Sequence, residues 1–170
     1  MKQKDAVVFG GSFNPPHQGH VNVVERLLKS FRLVVVAPTL QNPFKKESAV
    51  SLEHRARMFE LLILDAGLPL VQDATQSGIF VSRFNYTRTF EFVEYWRETY
   101  RTDVSWCIGP DLVDEVKTWA RYDQMQLKFF ELSQEEPVRS SDIRSGRLMP
   151  SEAIQSYIDH HGLYGFQFSA

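Results

Sequence analysis

Two histidines, His17 and His20, stand three residues apart where a glycine-rich turn runs into an amphipathic segment. The turn reads Gly10-Gly11-Ser12-Phe13-Asn14-Pro15-Pro16-His17-Gln18-Gly19-His20. A helix N-terminus carries unsatisfied N–H donors and a partial positive charge, so backbone and imidazoles together suit an anion. We read the turn as a site for nucleotide phosphates. It is not GxGxxG, since Ser12 and Asn14 stand where glycines would be needed, and no Gly-Lys-Ser/Thr follows. As metal ligands the two histidines lack a Cys or carboxylate at suitable spacing. Surface or capping roles are the plain alternative for them.

A second set lies far along the chain, Val138-Arg139-Ser140-Ser141-Asp142-Ile143-Arg144. Two hydroxyls and the first N–H groups of a short helix can receive phosphate oxygens, and an arginine adds a planar, bidentate charge. An ordinary helix cap beside an exposed arginine is the competing reading. Asp111, after Gly109-Pro110, has a carboxylate that can accept two ribose hydroxyls or can cap a helix.

The elements that must position these residues alternate. Ala6 to Phe9 reads as a buried strand, and the segment after His20 puts Val24, Leu27, Leu28 and Phe31 on one helical face. Leu33 to Ala37 is a second apolar strand. Ser51 caps a helix to about Ala66, and Leu70-Val71 starts a short third strand, with Asp73 to Phe84 left as loop or extended chain. Tyr86 to Tyr100 reads as helix, Val104 to Ile108 as the fourth strand and Leu127 to Leu132 as the fifth. Brief helical pieces are expected at Asp111 to Val116 and Trp119 to Met125. Ser140 or Ser141 caps a short helix, and Ser151 caps a last one ending near Gly162. This order predicts an α/β fold, a Rossmann-like parallel sheet of about five strands with flanking helices. In such sheets ligands bind beyond the carboxyl ends of strands at a topological switch point. The loops Gly10 to His20, Gly109 to Asp111 and Gln134 to Ser141 share that edge.

The chain has 170 residues, enough for one domain (1–170) with a real core, and no linker-like stretch divides it. Its net charge of −2 gives no general attraction for nucleic acid or acidic membranes, so a polyphosphate site must be locally positive. The single cysteine, Cys107, allows no internal disulfide and reads as a buried small residue. No apolar run approaches membrane-spanning length and no signal region precedes the first strand, which predicts a cytoplasmic protein. The sequence leaves a homo-oligomer open.

The GGSFNPPHQGH turn resembles the HxGH signature of the nucleotidyltransferase superfamily, in the form found in nicotinate and nicotinamide mononucleotide adenylyltransferases. Val138 to Arg144 resembles that family's ISSTxIR, with Ser140, Ser141, Ile143 and Arg144 in register and Arg139 replacing the first serine. Gly109-Pro110-Asp111 resembles its GxD, and Tyr157 to Tyr164 its C-terminal YIxxxGLY. The resemblance implies adenylyl transfer from ATP, with Mg²⁺, to a pyridine mononucleotide. It implies His17, His20 and Arg144 as catalytic groups on the triphosphate. Gly11, Ser12, Phe13, Lys45, Gly109, Asp111, Ser140 and Ser141 would meet ATP. Asn14, Tyr86, Thr87 and Trp119 would meet the mononucleotide, the tryptophan packing on its pyridine ring. Relatives carry a further strand and an arginine-bearing loop where this chain has only Arg121 to Pro137, which implies an abbreviated adenine pocket. Three other readings stay open: another HxGH enzyme such as a pantetheine-phosphate adenylyltransferase or a cytidylyltransferase, a non-catalytic nucleotide-binding regulator, and a plain zinc protein using His17 and His20.

Overall fold

Val7 and Val8 are both fully buried, yet they face opposite sides of one sheet. Strand side chains alternate with period two, so a strand apolar at every position must be covered on both faces. The computed structural model, which describes residues 4–40, 50–133 and 137–165, places that strand at the centre. β1 (Lys4–Gly11) pairs in parallel with β2 (Phe31–Pro38) on one side and with β4 (Ser105–Ile108) on the other. β3 (Gly78–Val81) lies beyond β2, and β5 (Lys128–Glu131) beyond β4, in the order β3-β2-β1-β4-β5. Every pairing is parallel. The α/β, Rossmann-like sheet expected from the alternating pattern is the architecture observed.

Helices cover both faces. Val24 and Leu27 of α1 (Gln18–Leu27) and Phe59 and Ile63 of α2 (Leu52–Asp65) pack with Val7, Val34 and Val36. Phe92, Val93 and Trp96 of α3 (Thr89–Tyr100) pack with Val8, Leu33 and Val35 on the opposite face. Short helices α4 (Tyr122–Met125) and α5 (Ser140–Arg144) follow β4 and β5. α6 (Glu152–His161) buries Ile154 and Ile158 against Met58 and Leu62 of α2. Because the connections change face between β3 and β4, the strand order reverses beside β1, and the carboxyl ends of β1 and β4 flank the switch point.

Several boundaries differ from expectation. α1 begins at Gln18, with His17 as its cap, and ends at Leu27, so Phe31 opens β2 instead of completing a helical stripe. Arg32 pairs with Asp5 of the neighbouring β1 at 2.8 Å, and Phe31 packs edge-on against Phe130 of β5, across the sheet, at 5.1 Å; these long-range contacts outweigh helical spacing. The third strand is Gly78–Val81, within the stretch expected to be loop; Leu70 makes only a single bridge to Ile79. Gly78 has a φ of 138° and passes close to the Pro69 carbonyl, which a side chain would obstruct. α3 starts at Thr89, because Tyr86 turns inward to the core. The cap of α5 is Arg139, and Ser140 is already helical. The piece expected from Asp111 to Val116 is two 3-10 turns, Pro110–Leu112 and Glu115–Thr118.

Candidate active site

Two close approaches shape the turn after β1. A Cβ on Gly10 would lie 2.6 Å from the Trp106 ring, so β1 can pass that indole only as glycine. Phe13 then takes a φ of 49° and drives its ring inward, edge-on to Phe9, His20 and Phe59 at 5.1, 4.8 and 5.0 Å. The ring is 3% exposed and anchors the turn. Arg55 of α2 braces the same turn from beneath. Its Nη1 donates to the Ser12 carbonyl at 2.6 Å and its Nε to the Val50 carbonyl at 2.7 Å, and the side chain is buried. Sequence reasoning missed Arg55. The available signal was a charge on the helical face that also carries Met58, Phe59 and Leu62. Arg55→Met keeps the apolar stem but leaves both carbonyls unpaired. It is expected to lower stability by about 1–3 kcal/mol and to raise the KM for ATP, read by thermal melting and steady-state rates. An unaltered melting temperature and KM would discard the bracing role.

The histidines form a stacked pair, with ring centroids 3.6 Å apart and planes at 22°. The His17 backbone N–H donates to His20 Nδ1 at 3.1 Å. A backbone N–H only donates, so Nδ1 is the acceptor and the neutral ring carries its proton on Nε2. His17 is 4% exposed, and its Nδ1 has no hydrogen-bond partner among the described residues. Burial lowers the His17 pKa to about 4, and burial with the neighbouring His17 holds His20 well below its usual range. Both rings are therefore neutral hydrogen-bonding groups at neutral pH.

That burial links stability to pH. Unfolded His17 titrates near its ordinary value of 6.5, so between there and about 4 the unfolded chain holds more protons. The stability is complete above that range and lost as pH falls through it, on the order of 3 kcal/mol for this one group. Urea unfolding at pH 7.5 and pH 4.5 should show a smaller acid loss for His17→Asn than for the native chain. An equal loss in both would refute the linkage.

The second set of residues closes on the first. Ser140 Oγ donates to the Pro15 carbonyl at 2.7 Å, and Arg144 Nη1 donates to the Asn14 carbonyl at 2.7 Å. Tyr164, beyond α6, donates its hydroxyl to Asn14 Oδ1 at 2.7 Å, a third tie that the sequence did not disclose. The result is a cavity of about 440 Å³ at the switch point, with Ser12, Phe13, Asn14, His17, His20, Gly109, Asp111, Ser140, Ser141 and Arg144 among its walls. Asp111 is exposed there, its carboxylate close over Gly109.

Four expected residues lie elsewhere. Gly11 ends β1 opposite Pro38, behind the Phe13 ring. Thr87 and Trp119 meet in a separate hollow of about 290 Å³, with Arg88, Thr89, Thr118 and Ala120. Tyr86 is a core residue: it is 2% exposed, packs on Phe92 and Trp106, and donates its hydroxyl to the Ala37 carbonyl. Lys45 lies outside the described residues. Within the interval Arg121 to Pro137 the described residues supply α4 and β5; Leu132 inside it and Val138 just after it line the cavity. No cluster of three His, Cys, Asp or Glu side chains fit to hold a metal occurs among the described residues. No described helix is long and apolar enough to cross a membrane.

Comparison with known proteins returns the same family as the motifs. A Nitratiruptor protein named "Probable nicotinate-nucleotide adenylyltransferase" is 31% identical over 121 residues, covering 69% of this chain and 66% of that protein. A Helicobacter pylori protein of the same name is 28% identical over 162 residues, covering 93% and 90%. The fold matches the Plasmodium falciparum nicotinic acid mononucleotide adenylyltransferase complexed with NaAD, with a TM-score of 0.71 at 16% identity over 98% of this chain and all of that one. The family model described as cytidylyltransferase-like spans residues 8–146, from β1 through the serine turn that closes the cavity, and the chain belongs to that family.

Proposed function

We propose that this chain transfers the adenylyl group of ATP to nicotinate mononucleotide and releases pyrophosphate, a step of NAD biosynthesis. The observation that carries the reading is the closure of two turns on one cavity by the Ser140–Pro15 and Arg144–Asn14 hydrogen bonds. Either turn alone is a common anion-binding shape; joined around a stacked histidine pair, His17 buried and His20 half-buried, they fit a triphosphate. The names of the relatives support nicotinate as the ring of the acceptor.

The attacking group is the mononucleotide phosphate, already ionised at neutral pH. The reaction needs no general base. The phosphate oxygen forms a bond to the α-phosphorus in line as the bond to the bridging oxygen breaks, and pyrophosphate leaves with the electron pair. Catalysis is then positioning and stabilisation of charge on the departing oxygen. His20, with its proton on Nε2, and His17 offer neutral donors fixed before the substrate arrives, and Arg144 offers a charged fork. Ser140, Ser141 and the start of α5 suit the outer phosphates, and Asp111 suits ribose hydroxyls. Among the described residues that line the cavity Asp111 is the only carboxylate, so Mg²⁺ would be held mainly by phosphate oxygens and water. When bound it neutralises phosphate charge.

Pyrophosphate release tests the reading directly. With ATP and nicotinate mononucleotide together, release is expected at a rate far above that with ATP alone. ATP binding without release, with either pyridine mononucleotide, would favour a regulatory nucleotide-binding protein instead. Release only with phosphopantetheine would reassign the acceptor.

A further inference from the structure

We infer that Tyr164 is a positioning residue for adenylyl transfer: brought in by α6, its hydroxyl fixes Asn14, and through Asn14 the Arg144 fork. The inference rests on the adenylyl-transfer reading and extends the machinery to the last helix of the chain. Tyr164 itself does not line the cavity, so it acts through the residues that do.

Asn14 is where three separate parts of the chain meet. Its backbone carbonyl accepts from Arg144 Nη1 and its side-chain Oδ1 from the Tyr164 hydroxyl, each at 2.7 Å, and the residue lines the cavity. Residues 12–17 belong to no helix or strand, so ties of this kind set the path of the turn that delivers His17. Burial pushes the pKa of the Tyr164 hydroxyl up, against the pull of the Arg55 and Arg144 guanidiniums near it. The group therefore stays protonated. Both arginines are donors only, so the hydroxyl turns its oxygen toward them and its proton toward Asn14.

The backbone points the same way. Tyr164 holds a φ of 62°, in the left-handed region that a bulky side chain seldom enters. Such a conformation persists only where the surroundings fix it, and here they do. Leu163 and Tyr164 pack with Val21 of α1, Met58 and Leu62 of α2, and Ile158 of α6. His54 Nδ1 and the Tyr157 hydroxyl, 2.7 Å apart, add a polar contact between α2 and α6. One helix thus carries both supports of the first turn: α2 holds the Ser12 carbonyl through Arg55 and seats the segment that holds Asn14. A strained tyrosine at the end of that segment is explained by the contact its hydroxyl makes.

Tyr164→Phe keeps the ring and removes the donor. Pyrophosphate release with ATP and nicotinate mononucleotide should show kcat lowered about tenfold and the KM for ATP within about threefold, since alignment is lost and the phosphate contacts remain. The melting temperature should fall by no more than about 4 °C. In an Asn14→Ala background, read with enzyme in excess over ATP so that slow variants are measured, the same change should cost less than about twofold. Three outcomes would overturn the inference. One is a kcat for Tyr164→Phe within about twofold of the native value. Another is an equal loss in both backgrounds, which puts the effect of the hydroxyl elsewhere. The third is a loss accounted for by the unfolded fraction at the assay temperature, which makes the role structural. In each case the native enzyme still turns over and the adenylyl-transfer reading survives, whereas no release by the native protein overturns both.

Discussion

His17→Ala is expected to lower kcat about 10²-fold or more, judged from losses of single preorganised donors at sites of developing charge. The effect should fall on kcat more than on the KM for ATP, because the charge this donor meets grows only as the α-phosphorus–oxygen bond breaks. The geometry gives the reason for its size. The His17 ring is packed face to face with His20, its Nδ1 has no partner among the described residues, and burial keeps it neutral. A donor held this way costs no reorganisation when charge appears beside it. Alanine removes the donor and also the ring that keeps His20 in place, so two contacts are lost together. A kcat within threefold of the native value, in a variant with unchanged circular dichroism, would remove His17 from the reaction.

Arg144→Ala is expected to have a comparable or larger effect, about 10²- to 10³-fold in kcat/KM. The side chain does two things. It donates to the Asn14 carbonyl at 2.7 Å, holding α5 against the first turn, and it lines the cavity where phosphate charge collects. Alanine removes the charge and slackens the closure, so both KM for ATP and kcat should change. Arg144→Lys separates the two roles: a lysine restores charge but cannot bond the carbonyl and a phosphate oxygen through one planar group. It should therefore recover KM better than kcat. If Arg144→Lys matches the native enzyme, the fork has no special role; if Arg144→Ala does, the second turn does not serve the reaction.

The contrast between Ser140 and Tyr86 shows which links were legible in the sequence. Ser140 was readable because its neighbours form a continuous pattern and its job, at the start of a short helix, is local. Its bond to the Pro15 carbonyl spans 125 positions and became visible only when α5 folded against the first turn. Tyr86 stands beside Thr87 in the sequence, and both were expected at the pyridine ring. The chain instead points Tyr86 into the core, under Ala37, and leaves Thr87 on the surface. Adjacent residues of an extended segment face opposite ways, and which of them turns inward was decided by space beside Trp106 and Phe92. Phe31 makes the same point for the backbone. Its spacing from Val24, Leu27 and Leu28 fits a helix, but pairing beside β1 offered more buried contact and made it a strand residue.

The sequence by itself determined the alternation of strands and helices, the glycine turn and the serine turn, and hence that their loops share one edge of a parallel sheet. Those features follow from hydrophobic period and chain connectivity, which act over a few residues or are fixed by handedness. Only the tertiary structure decided that Arg55 and Tyr164 secure the first turn, and that burial leaves both histidines uncharged. Each of these depends on which side chains meet across the fold and on how much water they lose, quantities that no spacing along the chain records.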